Sequence, residues 1–155
     1  MQSRIGTGVV AGLIAGVVFG LIMQFSTMPT PDGMEVSSML MVAKVVRSDS
    51  LVVGWLYHLV NSAVMGALFG WVLGGKLSSI GSGVLWGAIY GVFWWVLGGL
   101  ILMPVLLGMP AFASLRDPMM RPVAWGSLMG HLIFGIVLGG SAVLVLKQGA
   151  RKTPA

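Results

Sequence analysis

Apolar residues run along this chain in four long stretches that short polar segments separate. The stretches cover Ile5–Thr27, Leu51–Gly75, Ile80–Leu107 and Val123–Leu146, and none of them contains Asp, Glu, Lys or Arg. Each reaches the roughly 20 residues that a helix needs to cross a bilayer core of about 30 Å. No ten-residue alternation of polar and apolar positions occurs, which excludes a membrane β-barrel. We predict an all-α membrane protein in which residues 1–155 form a single transmembrane domain of four helices.

Composition and charge agree with that class. Hydrophobic residues make up 57% of the 155-residue chain and charged residues 8%, where a soluble domain carries about 25% charged residues. The nine Lys and Arg residues are scattered, so we predict that they set the topology and contact anionic lipid of the bilayer, and that the protein does not bind nucleic acid. The chain has no cysteine, which excludes disulfides, thiolate nucleophiles and cysteine-ligated metals.

The sequence contains an internal duplication. With a shift of 75 positions, residues 3–34 align without a gap on residues 78–109, and thirteen of the 32 pairs are identical. With a shift of 73, His58 aligns on His131 and Gly66 on Gly139. The repeats, residues 3–75 and 78–147, each hold two spans and therefore face the same way. We predict two parallel two-helix repeats related by a pseudo-twofold axis along the membrane normal.

The connecting segments indicate an orientation. Apolar residues recur at helical spacing in residues 34–47, which predicts a short interfacial helix after the first span. Pro110–Pro122 contains three prolines and should be mostly irregular. Four spans place both termini on one side, which carries five of the nine Lys and Arg residues. We therefore predict a multi-pass protein of the plasma membrane with cytoplasmic termini.

Small residues recur every fourth position in the four stretches, as in Gly8, Gly12, Gly16 and Gly20 of the first. Such stripes let helix backbones approach closely in lipid. They predict a tightly packed bundle, and they would also permit a homo-oligomer.

His58 and His131 are the only histidines, and they occupy equivalent positions in the two repeats. Each lies about 12 Å into its span at 1.5 Å per residue, and we predict that both point into the bundle and approach each other. Ionisable residues within a membrane are costly and are functional candidates. The structural alternative is that a neutral imidazole joins two helices by donating to a backbone carbonyl. Duplication alone would then account for the pair.

Three functional hypotheses start from these histidines. Thioether and imidazole ligands suit Cu(I), and the ligands would be His58, His131, Met28, Met34, Met103 and Met109. Histidines on facing helices also suit the axial positions of haem b, although closely packed helices leave little room for a macrocycle. Alternatively, His58, His131 and Asn61 line a polar cavity that binds a small solute or relays protons.

We predict small-ligand or ion binding and permeation at the twin-histidine site. A haem b electron carrier and a structural or assembly subunit are the alternatives. The spans contain no carboxylate pair, catalytic triad or phosphate-binding loop, so we expect no enzymatic activity.

The last stretch contains His131-Leu-Ile-Phe-Gly135-Ile-Val-Leu-Gly139, a His-Leu-x-x-Gly-x-x-x-Gly segment. With its glycine-rich first stretch and the proline near the end of the third, the chain resembles a family of small four-helix integral membrane proteins from bacteria and archaea. The resemblance covers nearly the whole chain and implies the four-helix fold, but no activity. The copy that begins at His58 departs from the segment, because Asn61 and Ser62 stand where Phe134 and Gly135 stand in the second.

Overall fold

The computed structural model describes residues 3–29 and 34–151, and most of them are helical. The elements are α1 (Arg4–Phe25), β1 (Thr27–Pro29), β2 (Glu35–Ser37), α2 (Ser38–Val45), α3 (Leu51–Leu73), α4 (Ile80–Trp94), a π-helical segment (Trp95–Leu102), α5 (Met103–Leu106), α6 (Ala113–Arg116) and α7 (Arg121–Arg151). The prediction of an all-α architecture is confirmed apart from one small antiparallel sheet, in which β1 pairs with β2. Within the described residues, four helices are long and apolar enough to cross a membrane: α1, α3, α7 and the continuous helix Ile80–Leu106.

The structure corrects the predicted elements in four places. The first long helix ends at Phe25, because Thr27 begins β1. The helix predicted over residues 34–47 starts only at Ser38, where the Ser37 side chain accepts a hydrogen bond from Leu40 N at 3.2 Å. The third long helix is not a regular α-helix throughout, since it turns π-helical from Trp95 to Leu102. Residues 110–122 were predicted to be mostly irregular, but six of the thirteen are helical, because the segment contains α6 and the start of α7.

Glycines hold the long helices in two tightly packed pairs. In the first pair, Gly8 and Gly12 of α1 lie against Gly66 of α3, so closely that an added Cβ would overlap the opposing backbone. In the second pair, Gly83 and Gly87 of α4 make the same kind of contact with α7. The contacting residues of the two pairs differ by 75 positions in α1 and α4 and by 73 in α3 and α7.

The backbones of the two pairs pack closely on one side only. Helix α1 packs against α7, and the core between them contains Ala11 and Ala15 of α1 with Leu138 and Ala142 of α7, all fully buried. A twofold-symmetric bundle would repeat this contact between α3 and α4, but their backbones make few close contacts. The contact between the pairs is therefore asymmetric, and it leaves a gap between α3 and α4.

Candidate functional site

The gap between α3 and α4 leads into a cavity of about 600 Å³. Its walls come from the later half of α1, the first part of α3, the π-helical segment and the first turns of α7. Most lining side chains are apolar, and none of the lining residues in the described part of the chain is Asp, Glu, Lys or Arg. Both histidines and Asn61 lie in this lining, so the three side chains predicted to form a ligand site are in one cavity.

His58 joins two helices. Its side chain is 8% exposed, and its Nε2 lies 2.9 Å from Gly16 O of α1. Because a carbonyl only accepts hydrogen bonds, Nε2 carries the proton and donates. This is the interhelical bond that the structural interpretation of the histidines predicts.

His131 bonds to its own helix. Its Nδ1 lies 2.8 Å from Ser127 O, one turn earlier in α7, and 3.4 Å from Ser127 Oγ. By the same reasoning Nδ1 is the donor to the carbonyl. The imidazole edge of His131 lies beside Gly99 of the π-helical segment, where an added Cβ would be 3.4 Å from His131 Cε1.

Each imidazole keeps one ring nitrogen without a hydrogen-bond partner among the described residues. These are Nδ1 of His58 and Nε2 of His131. In a neutral imidazole whose other nitrogen is the donor, such a nitrogen can only accept a hydrogen bond or ligate a metal. The cavity therefore contains two unused acceptors.

Phe19 contacts both imidazoles. Its ring centroid lies 5.7 Å from that of His58 and 5.0 Å from that of His131, edge-on in both cases. The two histidines therefore pack against the same residue. Within the described residues, no hydrogen bond joins one histidine to the other. A haem ligated by both would need the space that the Phe19 ring fills, so the described arrangement does not fit a bis-histidine haem.

Further polar groups line the same cavity. The Asn61 side chain makes no hydrogen bond within the described residues, while Ser114 Oγ and Trp94 Nε1 are buried without a partner there. Asn61 was predicted as a site residue, but Ser114 and Trp94 were not. Neither offers a sequence signal, because Ser114 lies in the short helix α6 between two spans and Trp94 stands where Phe19 stands in the first repeat.

Methionines supply much of the apolar lining. Met28, Met103 and Met109 of the predicted soft-metal set are lining residues. Met34 is not a lining residue: it lies just before β2 and is 62% exposed, and the soft-metal set stays a prediction. The lining also contains Met23, Met65 and Met120, which sequence reasoning missed. Met23 and Met65 have no methionine counterpart in the other repeat, so repeat equivalence could not find them.

Fold and site together define a helical bundle with an uncharged internal cavity that two histidines line. Comparison with protein-family models, with curated proteins and with solved structures finds no match. The resemblance to a four-helix family drawn from the His131 segment therefore stays a prediction.

Proposed function

We propose that this chain is a multi-pass integral membrane protein of the plasma membrane that binds a small, uncharged, mostly apolar molecule. The role is one of binding and not of catalysis. In this proposal the two helix pairs are parallel repeats, and the termini lie in the cytoplasm, the side that carries the small excess of Lys and Arg.

The outer surface supports the membrane assignment. Large apolar side chains such as Val52, Leu56 and Val60 of α3 and Trp71 at its end are each at least 60% exposed. A soluble protein rarely exposes so continuous an apolar surface, whereas lipid tails cover it at no cost. The helix pairs also bury glycines against glycines, which is how helices associate in lipid.

The cavity is the observation that carries the proposed binding role. A close-packed bundle would not contain such a cavity. Cavities of about 300–1,000 Å³ with a few well-placed polar groups are typical small-molecule sites. An ion in this cavity would lose its hydration and meet no charged side chain of the described residues. A neutral molecule with one polar end matches both the apolar walls and the few unpaired polar groups.

Cu(I) is the second candidate. Three of the predicted methionines and both imidazoles line one cavity, and each imidazole has a nitrogen available for ligation. A Cu(I) site would use only the two imidazoles and the methionine thioethers, and it would leave most of the cavity unfilled. Neutral-molecule binding uses the whole cavity and is therefore preferred.

Native mass spectrometry of the purified protein with 1-naphthol as the probe tests the proposal. The variant Gly98→Leu should fill the cavity, since a Cβ at this lining residue meets only the Trp94 ring, at 3.8 Å. Gly140→Leu is the matched control, because a Cβ there meets nothing within 4 Å and Gly140 does not line the cavity. We expect a one-to-one adduct in the wild type and in Gly140→Leu, and an adduct at least fivefold weaker in Gly98→Leu.

Equal adducts in all three proteins would overturn the proposal. So would a wild-type protein that retains copper and excludes 1-naphthol, which would establish the second candidate. A haem adduct would show that the bundle rearranges around Phe19 and would restore the electron-carrier alternative.

A further inference from the structure

The cavity reaches the outer surface of the bundle along the helices. Val64 of α3, Leu102 of the π-helical segment and Leu106 of α5 all line it, yet these side chains are 54%, 43% and 57% exposed. Val64 lies about 20 Å along α3 from Leu51 at 1.5 Å per residue. In a helix that crosses a bilayer, that depth is inside the hydrocarbon core. The opening between α3 and the π-helical segment therefore faces lipid.

Helix α2 covers the cavity at the loop end. It packs on α3, where Met39 and Ala43 of α2 lie against Gly54 and are fully buried, and it also contacts α1 and α5. Val42 of α2 is 8% exposed and forms part of the lining. A molecule that arrived from water would have to pass this helix or the exposed lining residue Thr27 beside it.

Aromatic side chains close the opposite end of the cavity. The hydroxyl of Tyr90 in α4 donates a hydrogen bond of 2.7 Å to Met65 O in α3, and the Tyr90 ring lies 5.2 Å from that of Phe69. Phe134 of α7 completes this closure and is 3% exposed. The remaining route into the cavity is therefore lateral, between α3 and the π-helical segment, on the α2 side of the Tyr90–Met65 hydrogen bond.

The unpaired polar atoms define the polar end of the ligand. The free ring nitrogens of His58 and His131 accept hydrogen bonds and, in the neutral rings, cannot donate them. A ligand that satisfies them must bring a donor. A hydroxyl group does so, since its O–H donates a hydrogen bond to an unprotonated imidazole nitrogen.

We infer that the cavity binds a lipid-soluble alcohol or phenol, which enters from the bilayer core between α3 and the π-helical segment and donates a hydrogen bond from its hydroxyl group to the imidazole of His58 or His131. This inference rests on the proposed function and adds to it the class of ligand and the route. The apolar chain or ring of such a molecule lies among the methionines, whose flexible thioethers adapt to varied shapes.

Photolabelling in vesicles tests both parts. The full-length protein is placed in phosphatidylcholine vesicles that contain hexadecanol with a mid-chain diazirine, or the methyl ether of the same probe. After illumination, the labelled residues are found by peptide mass spectrometry. We expect the alcohol to label lining residues of α3 and the π-helical segment, and the ether to label them at least threefold less. His131→Phe should reduce that preference, with Asn61→Leu as a second variant if His131→Phe does not fold.

Three tryptophan variants test the route. Val64→Trp should block the opening and reduce labelling of the cavity at least fivefold. Val60→Trp is the matched control, because Val60 is on the same helix, is 60% exposed and does not line the cavity. If Thr27→Trp and not Val64→Trp lowers the labelling, the entrance is at the loop end and the lateral route is wrong.

The outcomes separate this inference from the proposed function. If 1-naphthol binds in detergent and depends on Gly98, but alcohol and ether label the cavity equally, the ligand class is wrong and the binding role stands. If 1-naphthol binds without dependence on Gly98, the binding role itself fails.

Discussion

The two helix pairs have the same framework and different interiors. In both pairs, glycines bring the backbones together at repeat-equivalent positions. Around the histidines the pairs differ. His58 donates to the neighbouring helix, whereas His131 donates to its own. Helix α1 is α-helical to Phe25, whereas the equivalent part of the second pair is π-helical. Glycine packing fixes how each pair forms, and the residues beyond the glycines decide what the interior can bind.

The difference explains why a cavity exists. Two identical pairs could close on each other with the same contact on both sides. Here α1 packs against α7, while α3 and α4 stand apart, with large side chains such as Tyr90 and Phe69 between them. The asymmetric contact between the pairs thus leaves space beside α3. π-Helical segments occur often at functional sites, and this one carries Gly98 and Gly99 at the cavity wall.

The largest expected effect is on the shared framework. Gly12→Val and Gly87→Val each place a Cβ where the opposing backbone lies, and overpacking against backbone should lower the free energy of unfolding by about 3 kcal/mol or more. Equilibrium unfolding in mixed detergent and SDS micelles measures this. Gly140→Val is the control for the valine itself. Losses that differ by more than about 1 kcal/mol would show that the two pairs do not share one packing.

Substitutions at the two histidines should have the next largest effect on the free energy of unfolding, and this effect should differ between the pairs. His58→Phe removes a bond between two helices and should lower the free energy of unfolding by about 1 kcal/mol. His131→Phe should change it by less than about 0.5 kcal/mol, because Ser127 O keeps its backbone bond within α7. The same unfolding assay applies. Equal losses would contradict the assigned roles of interhelical bond and cavity side chain.

A hydrogen bond that occurs only in the first pair should make a smaller contribution to stability. Trp55 Nε1 donates to Gln24 Oε1 at 3.1 Å, joining α3 to α1. The equivalent positions hold Leu128 and Gly99, which cannot form such a bond. A double-mutant cycle with Trp55→Phe and Gln24→Leu should give a coupling free energy of about 0.5–1 kcal/mol. A coupling free energy near zero would mean that this hydrogen bond does not make the two pairs differ in stability.

The framework could be predicted from the sequence because it depends on patterns within it. Hydrophobic length gives the four long helices, and the four-residue spacing of glycines gives the faces that pack. The position of His58 on such a face is enough to predict that it points inward. These features depend on residue type and spacing, and each of them occurs in both copies of the repeat.

The shape of the cavity could not be predicted from the sequence, because it depends on contacts between residues that are far apart in the chain. Neither the π-helical segment after Trp94 nor the gap between α3 and α4 corresponds to a residue spacing in the sequence. Met34, which the repeat treats as equivalent to Met109, does not line the cavity, whereas Met28, Met103 and Met109 do. Repeat equivalence therefore did not show which methionines line the cavity.

The smallest expected change in stability falls on the residue that most distinguishes the interiors. Asn61 stands where the second repeat has Phe134, and its side chain has no hydrogen bond to lose among the described residues. Asn61→Phe makes the first pair resemble the second, so the free energy of unfolding should change by less than about 0.5 kcal/mol. The new ring would occupy the cavity, however, and the 1-naphthol adduct should weaken at least fivefold. A variant that loses stability and keeps the adduct would mean that Asn61 supports the fold and that the ligand binds elsewhere.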